Sequence, residues 1–114
     1  MYTLTVRAKF EAAHDIPGYK GKCSRLHGHS YRVEAEFSGR ELNEIGMLAD
    51  FAELKSALNE ILPDHVYLND ILPFSTSAEN ISRWIFEQLR ERKLPVTAVT
   101  LWETENNACR YTAE

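Results

Sequence analysis

Residues 2–13 (YTLTVRAKFEAA) alternate, with Leu4, Val6, Ala8 and Phe10 on one parity and polar residues between them. A period of two places every second side chain on one face, so this stretch predicts a half-buried strand. A loop rich in Gly, Pro and Lys follows (DIPGYKGKCSR), and residues 29–38 (HSYRVEAEFS) resume the alternation with Tyr31, Val33, Ala35 and Phe37 together. Gly39 to Gly46 makes the next turn. The period then changes. Behind Asp50, the residues Phe51, Leu54, Leu58 and Ile61 recur at helical spacing with Leu62 beside them, which predicts an amphipathic helix over 51–62. Asp50 with Glu53 forms a capping box, and Pro63 stops the helix. The segment DHVYLNDILPFS reads as a loop. Thr76 and Glu79 fit a second capping box, opening a helix over 77–92 with Ile81, Trp84, Ile85 and Leu89 inward. Val96 to Glu103 alternates as a third strand, and residues 108–112 supply a fourth.

The order strand–strand–helix–helix–strand–strand predicts an α+β fold, an antiparallel sheet with both helices on one face. A length of 114 residues suits a single domain over 1–114, large enough to bury a core without staples. No repeat or low-complexity segment interrupts it. The longest apolar runs fall far short of the roughly 20 residues of a membrane span, and the alternating N-terminus is unlike a signal peptide. Two cysteines, Cys23 and Cys109, are too few for a disulfide framework and read as cytosolic thiols. These features together predict a cytoplasmic protein with no membrane partner.

A net charge of −4 disfavours a general nucleic-acid binder. The charge is uneven. Residues 1–32 hold six basic side chains against two acidic ones, whereas residues 33–114 hold seven against fifteen. The basic third reads either as a solvated face or as a local attraction for a small anion such as a phosphate ester.

Four histidines carry most of the chemical information. His27 and His29 form H-x-H where the second strand begins, and positions i and i+2 of a strand point to one face, so both imidazoles can converge on one ion. Gly28 between them allows a close approach or an unusual backbone conformation. His14 ends the first strand on the parity of its apolar face and, if the two strands are neighbours, sits beside the pair. Three imidazoles with an open fourth position describe a catalytic zinc site; three separate hydrogen-bonded histidines are the plainer alternative. Cys23, four residues before His27 and near Lys20, Lys22 and Arg25, is either a thiolate activated by these cations or a small hydrophobe in a loop. Cys109 reads as structural. Asp64 beside His65 is either a carboxylate that orients a general acid–base or a turn aspartate with a surface histidine. Glu103 shares parity with Val99 and Leu101, so it is a candidate buried carboxylate serving a ligand with two adjacent N–H donors, or an arginine. Glu79 is accounted for by its cap.

Six motifs run in order along the chain: F-x-A-A-H (Phe10 to His14), C-x-x-x-H-G-H (Cys23 to His29), G-M-x-x-D-F (Gly46 to Phe51), D-H-x-x-L-N (Asp64 to Asn69), T-x-A-E-N (Thr76 to Asn80) and Glu103–Thr104. Together they resemble the 6-pyruvoyl-tetrahydropterin synthase family over about residues 10–104. The resemblance implies the tunnelling fold, in which antiparallel sheets of several subunits join into a barrel with helices outside. It also implies a homo-oligomer, a hexamer of two trimers, with active sites between subunits. By motif, His14, His27 and His29 would bind zinc (Zn2+), Cys23 would be the catalytic base or acid, Asp64 and His65 would complete a proton relay, and Glu103 would hold the pterin.

The substrate implied is 7,8-dihydroneopterin triphosphate, whose phosphates would account for the basic N-terminal third. The three-residue gap between Cys23 and His27 is similar to the branch of 6-carboxy-5,6,7,8-tetrahydropterin synthases of queuosine (7-deazaguanine) biosynthesis, lyases that release acetaldehyde and triphosphate. The pyruvoyl-forming synthases are the nearest alternative, and a pterin- or metal-binding module without turnover is the other.

Overall fold

The two alternating stretches pair with each other along their whole length. The computed structural model describes residues 1–114 apart from the side chain of Cys23. Strand β1 (Tyr2–His14) and strand β2 (His27–Gly39) are each 13 residues long. They run antiparallel from Tyr2↔Gly39 to His14↔His27, so the even-numbered residues of β1 share a face with the odd-numbered residues of β2. The predicted core parity holds: Val6, Phe10 and Ala12 on β1 and Tyr31, Val33, Ala35 and Phe37 on β2 are buried. Phe10 and Tyr31 stack, ring centroids 4.6 Å apart.

Helix α1 (Phe51–Ile61) opens on Asp50, whose side chain accepts from Ala52 N–H, and β4 (Val96–Trp102) and β5 (Ala108–Tyr111) complete the antiparallel part of the sheet. Leu62 takes the extended conformation expected before Pro63, ending α1. Phe51 is not inward as its spacing suggested; it is 55% exposed, whereas Leu54 and Leu58 are buried and Ile61 packs against the core.

The segment read as a loop contains a two-residue strand, β3 (Val66–Tyr67), and a single helical turn, α2 (Leu68–Ile71). β3 joins the outer edge of β1 in parallel, Ala12↔Val66 and Ala13↔Tyr67. The five-stranded sheet is therefore mixed, in the order β3-β1-β2-β4-β5. Helix α3 (Ala78–Glu91) is capped one residue later than predicted: Ser77 Oγ accepts from Asn80 N–H at 3.2 Å. It buries Ile81, Ile85 and Leu89 as expected, and Phe86 and Ser82 as well, while Trp84 is only half-buried.

Leucines of α1 and apolar residues of α3 form one core with the even-numbered face of β1 and the odd-numbered face of β2. Each fully buried Leu or Phe contributes on the order of 1.5–3 kcal/mol relative to exposure. The opposite face of the sheet carries no helix. No helix is long and apolar enough to cross a membrane among the described residues.

Candidate metal centre and active site

The full-length pairing of β1 and β2 ends with His14 opposite His27 and Ala12 opposite His29. All three imidazoles then project on the helix-covered face. Ring centroids lie 4.5 Å (His14–His27), 5.1 Å (His14–His29) and 4.7 Å (His27–His29) apart. One ligand atom from each lies within 4.8 Å of the other two, a grouping that could hold one metal ion.

Tautomers follow from the hydrogen bonds. His14 Nδ1 is 2.7 Å from Thr76 O, and His27 Nδ1 is 2.7 Å from Arg25 O. A carbonyl only accepts, so each Nδ1 carries the proton and each Nε2 is left with its lone pair. Backbone carbonyls behind metal-ligating histidines orient rings in this manner. Nε2 of His14 and of His29 are buried without a hydrogen-bond partner among the described residues. Burial lowers the pKa of both, more than nearby Glu103 raises it, and so favours the neutral, ligating form. Converging imidazoles with two buried, unpartnered nitrogens fit a metal better than three independent histidines.

Glu103 follows the last residue of β4 and reaches the same place. Its carboxylate oxygens stand 3.9 Å from His14 Nε2 and 4.0 Å from His29 Nε2. No arginine engages it among the described residues; Arg110 binds Glu36 instead. Tyr31 lies beside them, ring centroid 5.2 Å from His29, and its hydroxyl is buried and unpartnered among the described residues.

Thr76, read from sequence as a helix cap, serves the centre instead. Its carbonyl holds His14, and its hydroxyl contacts Asp15 O at 3.3 Å and Asn69 Oδ1 at 3.2 Å. Asn69 clasps the backbone of Asp15 from both sides, accepting from its N–H at 3.1 Å and donating to its carbonyl at 2.9 Å. Tyr67 Oη donates to the Asp15 carboxylate. These residues fix the chain where it leaves His14. Asn69 and Thr76 stand in two of the quoted motifs, but nothing in their spacing reveals their partner. Gly28, by contrast, needs no special conformation: a Cβ there would sit 3.6 Å from Ala12 O, an ordinary contact.

Asp64 and His65 do touch each other. His65 Nδ1 lies 2.9 Å from Asp64 Oδ2, and Asp64 Oδ1 accepts from Glu11 N–H at 2.8 Å. The His65 N–H bonds Glu11 O in turn, and the tight turn puts His65 at φ 56. The Glu11 bond first, and His65 after it, hold the Asp64 pKa below the usual value. The pair is exposed and lines a shallow depression with Glu11, Ala13, Gly28 and Tyr67. Ala12 and Val66 complete its lining, so Asp64–His65 sits on the outer edge of β1, tied to the Glu11 backbone, and no hydrogen bond or ion pair links it to the three histidines among the described residues. Cys23 lies outside the described side chains.

A model of the 6-pyruvoyl tetrahydropterin synthase family matches residues 3–114. The chain belongs to the 6-pyruvoyl tetrahydropterin synthase family. Within this family it is similar to the 6-carboxy-5,6,7,8-tetrahydropterin synthase of Synechocystis sp., 40% identical over 120 residues that cover 97% of this chain and 93% of that one. The 6-carboxy-5,6,7,8-tetrahydropterin synthase of Haemophilus influenzae is 31% identical over 140 residues, covering 97% and 99%. The structure of 6-pyruvoyl tetrahydropterin synthase from Caenorhabditis elegans superposes with a TM-score of 0.88 at 27% identity, over 99% of this chain and 96% of that one. The family's tunnelling fold is the fold of this chain.

Proposed function

We propose that the chain acts, as one domain, as a zinc-dependent 6-carboxy-5,6,7,8-tetrahydropterin synthase. It would convert 7,8-dihydroneopterin triphosphate to 6-carboxytetrahydropterin, acetaldehyde and triphosphate in the cytoplasm, for queuosine biosynthesis. The observation that carries this reading is the convergence of three histidines on one place beside Glu103, with His14 Nε2 and His29 Nε2 buried and unpartnered among the described residues, in a chain of this family. Zinc held there by His14, His27 and His29 would supply Lewis acidity toward the side-chain hydroxyls of the pterin.

The chain's own residues supply the rest. Glu103, which no arginine engages among the described residues, offers two oxygens to a ring N–H and the adjacent 2-amino group. Asp64 fixes the His65 ring through Nδ1 and leaves Nε2 to give or take a proton. Cys23, beside Lys20 and Lys22 in sequence, is the partner that moves the other proton. Lys20, Lys22 and Arg25 lie in the loop that joins His14 to His27, where a triphosphate would need cations.

Because Asp64–His65 hangs on the outer edge of β1 and makes no hydrogen bond or ion pair with the metal centre among the described residues, the working site draws them from two subunits, and the protein is a homo-oligomer built as a barrel. Its shape supports this: the chain measures 53 × 26 × 26 Å with a radius of gyration of 15.1 Å, against about 13 Å for a globular chain of this length. Light scattering that finds only monomer would oppose it.

Mass spectrometry of the products formed by zinc-loaded protein from 7,8-dihydroneopterin triphosphate tests the reaction. Carboxytetrahydropterin with acetaldehyde is the expected result. A pyruvoyl product, the activity named for the Caenorhabditis structure, would move the chain to the other branch with the same site. No turnover with zinc bound would leave a pterin- or metal-binding module.

A further inference from the structure

The helix-free face of the sheet, which the proposed barrel turns toward its channel, carries an arrangement that the proposed reaction does not use. Lys9 pairs directly with Arg32 across β1 and β2, and Arg32 pairs with Trp102 across β2 and β4. One rung of three strands thus presents two cations and an indole. Like charges directly opposite each other on a sheet are destabilising, and neither Lys9 nor Arg32 forms an ion pair among the described residues. Their cationic neighbours are occupied: Arg7 is 3.5 Å from Glu34, and Lys55 Nζ donates to the Arg7 carbonyl.

The rung lies within a groove of about 640 Å³. The groove extends round the edge of β1 to α1, so that Lys55 joins Arg7, Lys9 and Arg32 against two carboxylates, Glu34 and Glu105, and Trp102 forms part of its wall. A volume of this size suits a nucleotide-sized molecule. Lys9 precedes His14 by five residues on one strand, about 17 Å at strand rise, and points to the opposite face. The basic N-terminal third therefore divides into two separate clusters. A triphosphate held at one chain's histidines is served by the loop cations and leaves this rung free.

We propose that the groove binds a planar heteroaromatic polyphosphate, with phosphate oxygens on Lys9 and Arg32 and the ring against Trp102. The bound anion removes the repulsion within the rung, which is why two cations persist opposite each other. A nucleoside triphosphate and a pterin triphosphate share this chemistry.

The test is an anisotropy titration of the zinc-loaded full chain with a fluorescent guanosine triphosphate analogue, followed by competition with GTP, 7,8-dihydroneopterin triphosphate and inorganic triphosphate. Saturable binding is expected, weakened at least ~10-fold in Lys9→Gln/Arg32→Gln, since each charge-assisted contact is worth about that factor. His27→Ala should bind the analogue as the parent does. Whichever of GTP and the pterin triphosphate competes more strongly identifies the source, and inorganic triphosphate should compete less well than either because it has no ring for Trp102.

Absence of saturation up to about 1 mM overturns the proposal. So does binding that survives the double variant and disappears in His27→Ala, which would put the anion at the histidines. Folding provides an independent check. Without ligand, the double variant should melt about 2 °C above the parent, because it loses the like-charge pair. A lower melting temperature would mean that the rung is not held at a cost and would also overturn the argument.

Discussion

His14 closes β1 and His65 is bonded to its edge three residues earlier, yet the two sit in opposite surroundings. His14 is 1% exposed, held by a backbone carbonyl, and kept neutral by burial. The His65 side chain is 77% exposed and is held by a carboxylate that is itself tied to β1. Burial with a fixed tautomer suits a group that keeps a cation. Exposure with a fixed ring suits a group that exchanges protons with something arriving from outside, whether substrate or a second subunit. The chain builds both from one edge of one strand, with Glu11 anchoring Asp64 and His65 three residues before His14.

The largest expected effect breaks the buried side of this comparison. His27→Ala removes one of three ligands and should weaken zinc binding by roughly 10³-fold or more, read as metal content after dialysis against a mild chelator. Full retention of zinc would remove the metal centre as described.

The exposed side should respond differently. His65→Ala should keep its zinc and lose about 10²–10⁴-fold in kcat, the range for a general acid–base. Mixing unfolded His65→Ala and His27→Ala chains and refolding them together should restore activity if one site draws on two subunits. Two inactive variants that stay inactive when mixed would place the relay and the metal within one chain's reach.

A smaller effect concerns the scaffold between them. Asn69→Ala frees the backbone of Asp15 and should cost about 1–3 kcal/mol in urea denaturation. It should weaken zinc about 10–100-fold, as loss of an outer partner does. Unchanged affinity would mean that the Thr76 carbonyl orients His14 unaided.

The pH dependence of metal-free protein separates the two regions by their windows. His14 and His29 are held below the ordinary value of 6.5 chiefly by burial, so the unfolded chain takes up protons first and stability falls as pH drops below 6.5. Asp64 is held below 3.8 chiefly by the Glu11 N–H, so its contribution is intact above 3.8 and is lost as pH falls through its folded value. Asp64→Asn should therefore remove slope only below 3.8, in urea midpoints measured across pH. A slope removed near 6.5 by that variant would show that the regions are coupled.

Much of this was legible from residue types alone. Strict alternation specified β1 and β2, and once they were neighbours the parity of His14 followed. Capping was less legible, because Thr76 and Ser77 are both good caps and the choice between them depends on where the Thr76 carbonyl is needed, 62 residues from His14. β3 was too short to show a period. The edge on which Asp64–His65 lies depends on how β3 meets β1, and no local pattern records that pairing. Phe51 fits a helical stripe, but a stripe does not say how much of it the sheet will cover.

The bond from His14 to the Thr76 carbonyl also bears on the order in which the molecule can be made. During synthesis the three imidazoles emerge together, within residues 14–29, on a hairpin that can zip early. The acceptor that fixes the His14 tautomer arrives 62 residues after it, and Glu103 later still. With zinc as proposed, a nascent hairpin would hold a loose chelate, and a tight one would await the docking of α3. On the proposed reading, metal retention would be a late event in the maturation of this chain and would report that the distant half has folded.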